Sequence, residues 1–161
     1  MTITTEPLTA AAFAPFGDVL DCSGDPDKLI NAGRCGRWHD RARLDFDVLG
    51  HGGISLFRSD AASLPLELTL LERHPLGSQA FIPMTPDPFL VVVAADRDGT
   101  PDDIRAFITA PGQGVNIGRN VWHGVLTPLA PPGLFAVVDR IGPGVNLEEH
   151  HLPQPRMIVR G

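Results

Sequence analysis

Four side chains in this sequence have the type and spacing to do chemistry: Glu72, His74, Gln79 and His123. Leu66, Leu68 and Leu70 alternate with Glu67 and Thr69, and side chains two apart on a strand share a face. The same face continues to Glu72 and His74, so the apolar side of one strand ends in a carboxylate and an imidazole. After the turn Pro75-Leu76-Gly77, the next strand offers Gln79, Phe81 and Pro83 on one side. Downstream of the glycine-rich stretch Gly112 to Gly118, Val121, His123 and Val125 share a face opposite Trp122 and Leu126. His123 is therefore expected to point inward too. A buried glutamate is costly unless it is paired or bound. Imidazoles suit acid–base work near neutral pH and also ligate metals, and the spacing does not separate these two uses.

The elements that position these groups are short. Leu8 to Phe16 reads as a helical turn capped by Thr9 and ended by Pro15-Phe16-Gly17. Asp21 to Lys28 reads as loop. Strands are predicted at Ile54 to Arg58, Leu66 to His74, Gln79 to Pro83, Phe89 to Ala95, Ile104 to Thr109, Val121 to Leu126 and Leu134 to Asp139. They are separated by turns such as Asp98-Gly99, Pro131-Pro132-Gly133 and Gly142-Pro143-Gly144. Many short strands at regular spacing predict an all-β sandwich or barrel, here in one domain spanning residues 1–161.

Composition agrees. The 161 residues include 17 Gly and 16 Pro, which disfavours long helices. The net charge of −6 and the absence of a basic block argue against nucleic acid. No apolar run is long enough to span a bilayer, so no membrane association is expected. The N-terminus has no basic and apolar export pattern, which predicts a cytoplasmic protein. Cys22 and Cys35 belong to no CxxC pair and read as reduced thiols. His39 reads as loop-borne, and His51, His150 and His151 as solvated.

Glu72, His74 and Gln79, followed by Gly118 and His123, resemble the two-motif signature of the cupin superfamily. Glu replaces the usual first His, Gln replaces the usual Glu, and the second motif lacks its proline. The strings from Glu72 to Met84, Arg105 to Thr109, Gln113 to Asn116 and Arg119 to His123 are more specific. They resemble the ureidoglycolate lyase family, with weaker likeness at Phe16 to Val19 and Trp38 to Asp40. The resemblance runs from about Leu8 to Arg140, and the tail after Gly142 matches poorly. It implies a cupin-like β-barrel (jelly roll) with a few short helical turns, often a homodimer. The implied reaction converts (S)-ureidoglycolate to glyoxylate and urea in allantoin degradation. It also implies a divalent metal, with nickel suggested, for which Glu72, His74, Gln79 and His123 are the candidate ligands.

Such a substrate needs a base for its hydroxyl, an acid for the leaving nitrogen and a cation for its carboxylate. His74, His123 and Glu72 are the catalytic candidates, with Glu72 able to tune His74, act as base or bind metal. Arginine matches a carboxylate bidentately. Arg58 shares a face with Ile54 and Leu56 and is expected at a cavity mouth. Arg119 and Asn120 precede His123, and together with Gln79 these complete the substrate-binding candidates. Arg73 lies on the opposite parity and ranks lower. There is no tyrosine to act as acid. The only lysine, Lys28, sits in a polar loop, which disfavours a Schiff base. Two other readings stay open: a cupin hydrolase or isomerase of another small hydroxy acid, and a non-catalytic cupin that binds a small carboxylate.

Overall fold

The computed structural model describes residues 1–161. Fifteen strands and one helical turn run in the order β1 (Thr2–Thr4), β2 (Glu6–Pro7), α1 (Ala10–Phe13), β3 (Gly17–Leu20), β4 (Lys28–Ile30), β5 (Cys35–Arg37), β6 (His51–Arg58), β7 (Leu66–Arg73), β8 (Gln79–Pro83), β9 (Phe89–Arg97), β10 (Thr100–Ile108), β11 (Gly114–Ile117), β12 (Trp122–His123), β13 (Thr127–Pro128), β14 (Leu134–Ile141) and β15 (Glu148–Val159). One sheet has the order β1-β15-β7-β12-β9-β10-β2, with β13 pairing β9. The facing sheet has the order β3-β11-β8-β14-β6, and β4 and β5 form a separate hairpin. This is an all-β, barrel-like fold, as the strand pattern predicts, and it agrees with the cupin-like barrel that the resemblance implies.

The space between the sheets is filled from both sides. Phe89, Val91, Val93 and Phe107 meet Phe81, Val115, Ile117, Phe135 and Val137 there, and Leu8, Phe13 and Phe16 close one part of it. α1 is the predicted turn: the Thr9 hydroxyl accepts from the Ala12 N–H at 3.2 Å. The chain then passes so close to β11 that a Cβ on Gly17 would stand 1.9 Å from the Asn116 carbonyl oxygen. A side chain there would separate β3 from β11.

A second cluster covers the opposite face of β9, where Leu90, Val92 and Ala94 pack with Leu68, Leu71, Ala106, Trp122 and Ile158. Leu68 and Leu71 are three residues apart yet share this cluster, so the alternation of β7 slips by one between them. The expected continuous inner face from Leu66 to His74 is thus interrupted. Beyond the slip, Leu71 and Arg73 lie on the second-cluster side. Arg73 stacks over the Trp122 ring at 4.3 Å, which leaves Glu72 on the interior side.

Four other expectations change. Of Val121 to Leu126, only Trp122–His123 is strand. After Gly124 the parity is lost, so Leu126 packs with Val121 against the interior cluster while Val125 is exposed. Lys28, read as loop, begins the β4–β5 hairpin. The longest strand, β15, lies in the tail for which no strand was predicted, and it pairs both β7 and β1. Its register breaks between His151 and Arg156, where Pro153 and Pro155 cannot donate ladder hydrogen bonds. His150, expected to be solvated, lies 5.9 Å from the Trp122 ring.

Trp122 anchors the strand that carries His123, because its indole N–H donates to Asp96 at 2.9 Å while the ring is only 2% exposed. Trp122→Ala is expected to cost about 3–5 kcal/mol in a denaturant titration. Trp122→Phe, which keeps most of the packing, should cost clearly less.

Candidate active site

β12 lies between β7 and β9, and His123 pairs with Glu72 on one side and Val93 on the other. All three side chains therefore face the interior. The His123 side chain is 2% exposed, and its Nδ1 lies 2.9 Å from the Val121 carbonyl oxygen. His74 immediately follows β7, and its Nδ1 lies 2.7 Å from the Asn146 carbonyl oxygen. A carbonyl only accepts, so in both rings Nδ1 carries the hydrogen, and a neutral ring presents a bare Nε2 lone pair. The ring centroids are 5.1 Å apart, and neither Nε2 has a hydrogen-bond partner.

Glu72 Oε1 stands 3.6 Å from His123 Nε2. One candidate ligand atom from each of Glu72, His74 and His123 lies within 4.8 Å of the others. Three acceptors meet here without a donor, an arrangement that a proton or a cation relieves. Two imidazole nitrogens and a carboxylate oxygen are also a donor set for a divalent metal, and Nδ1–H held by a carbonyl is the usual support of a ligating histidine. The Glu72 carboxyl is held below its ordinary value of 4.5, chiefly by the neighbouring His123 ring in its protonated form, with partial burial opposing and the charge of His74 assisting.

The facing sheet supplies a second polar group. Gln79, 7% exposed, begins β8 on the same side as Phe81, and its Nε2 donates to Asp139 Oδ2 at 3.3 Å. Asp139 shares the inward parity of Phe135 and Val137 on β14. Gln79 Oε1 and Asp139 Oδ1 are buried without partners, like both histidine Nε2 atoms; the molecule's fifth such atom, Asn116 Oδ1, is on the outward side of β11. The largest surface groove, about 800 Å³ between the N-terminal strand, β10 and β15, contains none of these atoms.

The arginines are placed differently from expectation. Arg58 is exposed on the outer face of β6 together with Ile54 and Leu56, while Phe57 packs against the interior cluster. Its shared parity with two apolar residues indicated an inward direction, but that face of β6 points outward, so Arg58 does not stand at a cavity mouth. Arg119 donates from Nε to the Pro75 carbonyl at 2.7 Å, with Nη1 3.7 Å from Asp45. Asn120 has an exposed side chain and a left-handed φ of 64°, and its N–H donates to the His74 carbonyl at 2.9 Å. Arg119 thus holds the turn around His74 with its side chain and Asn120 holds it with its backbone N–H, while the Asn120 side chain is exposed. Arg73 is bound to Glu148 and Asp96.

Two residues of the site were not anticipated. Alternation along Leu134 to Asp139 would have indicated Asp139, because it continues Phe135 and Val137. Asn146 supports His74 through its carbonyl and receives the Leu76 N–H on its side-chain oxygen at 2.7 Å. Nothing in the sequence pattern marked it.

A double-sheet β-barrel with two inward imidazoles and a carboxylate at adjoining strand positions defines a cupin-like protein. The ureidoglycolate lyase family profile matches residues 1–159, which brings in the tail that the quoted strings did not cover. A ureidoglycolate lyase of Rhodobacter capsulatus is 66% identical over 95% of either chain. One of Mesorhizobium japonicum is 55% identical over 92% of either chain. Ureidoglycolate lyase 2 of Rhizobium meliloti is 51% identical over 94% of either chain. The chain belongs to the ureidoglycolate lyase family.

The lowered Glu72 carboxyl links the site to folding. Its contribution to stability is fully present above the ordinary value of 4.5 and is lost as pH falls through the lowered one. Glu72→Gln should therefore show a shallower fall in melting temperature on acidification than the wild type, measured by a pH series of thermal melts.

Proposed function

We infer that the chain cleaves (S)-ureidoglycolate to glyoxylate and urea, the last step of allantoin use for nitrogen. Family membership, with 66% identity to a ureidoglycolate lyase, is the observation that carries this reading. The substrate carbon bears a hydroxyl, a ureido nitrogen and a carboxylate. The hydroxyl loses its proton as the carbonyl of glyoxylate forms, the carbon–nitrogen bond breaks, and the departing nitrogen takes up a proton. His123 Nε2 is the base of this reading, because Glu72 at 3.6 Å stabilises the imidazolium that forms. The same imidazolium then returns the proton to the leaving nitrogen. Residues 1–161 act as one catalytic domain in the cytoplasm, a reducing compartment that suits the free thiols of Cys22 and Cys35.

A metal-ligating use of the same atoms is favoured by the donor-free convergence of Glu72, His74 and His123. These three would hold a divalent cation, nickel by family resemblance, with Gln79 Oε1 as a neutral fourth candidate. When bound, the cation supplies Lewis acidity toward the substrate oxygens. It also supplies positive charge at a site where Arg58 faces away and Arg73 and Arg119 are engaged elsewhere.

Purified protein mixed with ureidoglycolate should release glyoxylate and urea without ammonia; release no faster than the spontaneous rate, with and without added divalent metal, overturns the lyase reading. His74→Ala and His123→Ala should each lower kcat/KM by about a hundredfold or more. Elemental analysis of protein purified without a metal column separates the two uses of the histidines. Stoichiometric metal that disappears in both variants makes them ligands, and metal-free active enzyme makes them acid–base groups.

The homodimer has a candidate surface. Ile54 and Leu56 of β6 and Ile82 of β8 are 77%, 69% and 41% exposed, and Ala136 and Val138 lie between them in register. An exposed apolar patch on a sheet face marks an interaction surface, and a second copy of the same face can cover it by a two-fold axis. Leu56→Asp should convert dimer to monomer in sedimentation velocity without loss of the fold.

A further inference from the structure

One buried pair lies outside the Glu72, His74 and His123 triad. Gln79 and Asp139 project from the facing sheet, and each ends in an oxygen that is buried and has no partner. Gln79 spends one N–H on Asp139 Oδ2, which orients the amide so that its carbonyl oxygen is free. The pair therefore offers two free acceptor oxygens, with the second Gln79 amide hydrogen beside them. A buried unsatisfied acceptor costs stability, and a carboxylate oxygen costs more than an amide oxygen.

We propose that Asp139, held by Gln79, is the acceptor for the ureido N–H groups and sets the orientation of the substrate. The proposal rests on the lyase reading and adds a residue to it. The ureido end of the substrate carries only N–H donors apart from its carbonyl, and these complement the two free oxygens. The other end of the substrate is a carboxylate, which Asp139 repels. Charge thus favours one orientation: ureido group toward Asp139, where no positive group stands beside the carboxylate, and hydroxyl and carboxylate toward His74 and His123, whose imidazolium or bound cation offsets Glu72. Asp139 acts as a positioning and specificity residue and exchanges no proton.

Two small molecules separate the ends. Ureidoacetate keeps the ureido and carboxylate groups but has no hydroxyl and cannot eliminate; glycolate keeps the hydroxyl and carboxylate but has no ureido group. Titration calorimetry on the wild-type protein should show ureidoacetate binding more tightly than glycolate. Asp139→Asn places an N–H or a weaker oxygen against the ureido donors, and a charge-assisted hydrogen bond of this kind corresponds to about tenfold in affinity. Ureidoacetate should therefore weaken about tenfold, while glycolate is unchanged or tighter. Asp139→Glu, which keeps the carboxylate, should retain the preference for ureidoacetate. Asp139→Ala serves the same comparison if the Asn variant does not fold. The proposal is overturned if the two ligands shift equally, if the wild type shows no preference, or if the variants lose metal that the wild type holds. A wild type that prefers ureidoacetate yet does not turn over ureidoglycolate overturns the lyase reading and leaves the acceptor role standing.

Discussion

The site depends on two hydrogen bonds that leave two others unmade. His74 and His123 each give the Nδ1 hydrogen to a backbone carbonyl, and that choice fixes the tautomer and leaves both Nε2 atoms without partners. A hydroxyl partner, which can also donate, would have left the tautomers open to exchange; a carbonyl does not. Three separate segments are drawn together to achieve this. The turn after β7 is tied at Leu76 to Asn146, at the His74 carbonyl to the Asn120 N–H, and at the Pro75 carbonyl to Arg119. Pro75, Gly77, Gly118, Gly142, Pro143 and Gly144 supply the turns of these segments.

The second constraint is charge. The Glu72 carboxyl is held below its ordinary value by the adjacent His123 and His74 rings, and Asp139 adds another carboxylate on the opposite sheet. The anionic substrate of the proposed reaction would be a third negative group. The neighbouring arginines are committed: Arg73 to Glu148 and Asp96, Arg119 to Pro75 and Asp45, Arg140 to Asp47 and Pro143. Positive charge at the reacting carbon must come from protonated imidazole or from a bound cation, and both use the same Nε2 atoms. This shared dependence explains why the sequence left ligand and acid–base roles for His74 and His123 unseparated.

The sequence revealed the strand character of the chain and the inward direction of His123 and Gln79, because period-two alternation is a local property; Glu72 also faces inward, but on the opposite side from Leu66 and Leu68, whose face was expected to carry it. It failed where alternation is interrupted or where a face has an unusual environment. The slip in β7 after Leu68 and the loss of parity after Gly124 are set by packing against β9, which a single strand's pattern does not contain. Arg58 was misdirected for the opposite reason: Ile54 and Leu56 are apolar and regular, but they face outward. β15 escaped because prolines and paired histidines replace the alternation of an ordinary strand, while its pairing to β7 is a long-range contact. Asn146 acts mainly through its backbone carbonyl, and side-chain chemistry gives no sign of such a role.

Arg140 shows how a residue without contact to the proposed chemistry governs it. The side chain is buried on β14, one position past Asp139, and its guanidinium bonds to Asp47 and to the Pro143 carbonyl. A Cβ on Gly77 would stand 2.6 Å from its Cβ, and one on Gly50 would stand 2.5 Å from its Nε. Arg140 therefore occupies space that two glycines vacate, and it joins the loop carrying Asp47, the turn that follows His74 and the turn that leads to Asn146. A buried ion pair contributes little net stability compared with apolar packing of the same volume. An apolar side chain in its place would fill the space, but it could not hold Asp47 and the Pro143 carbonyl at fixed positions. The geometry of His74 is inherited from those positions, so the directional bonds of Arg140 matter to the site more than its net contribution to folding.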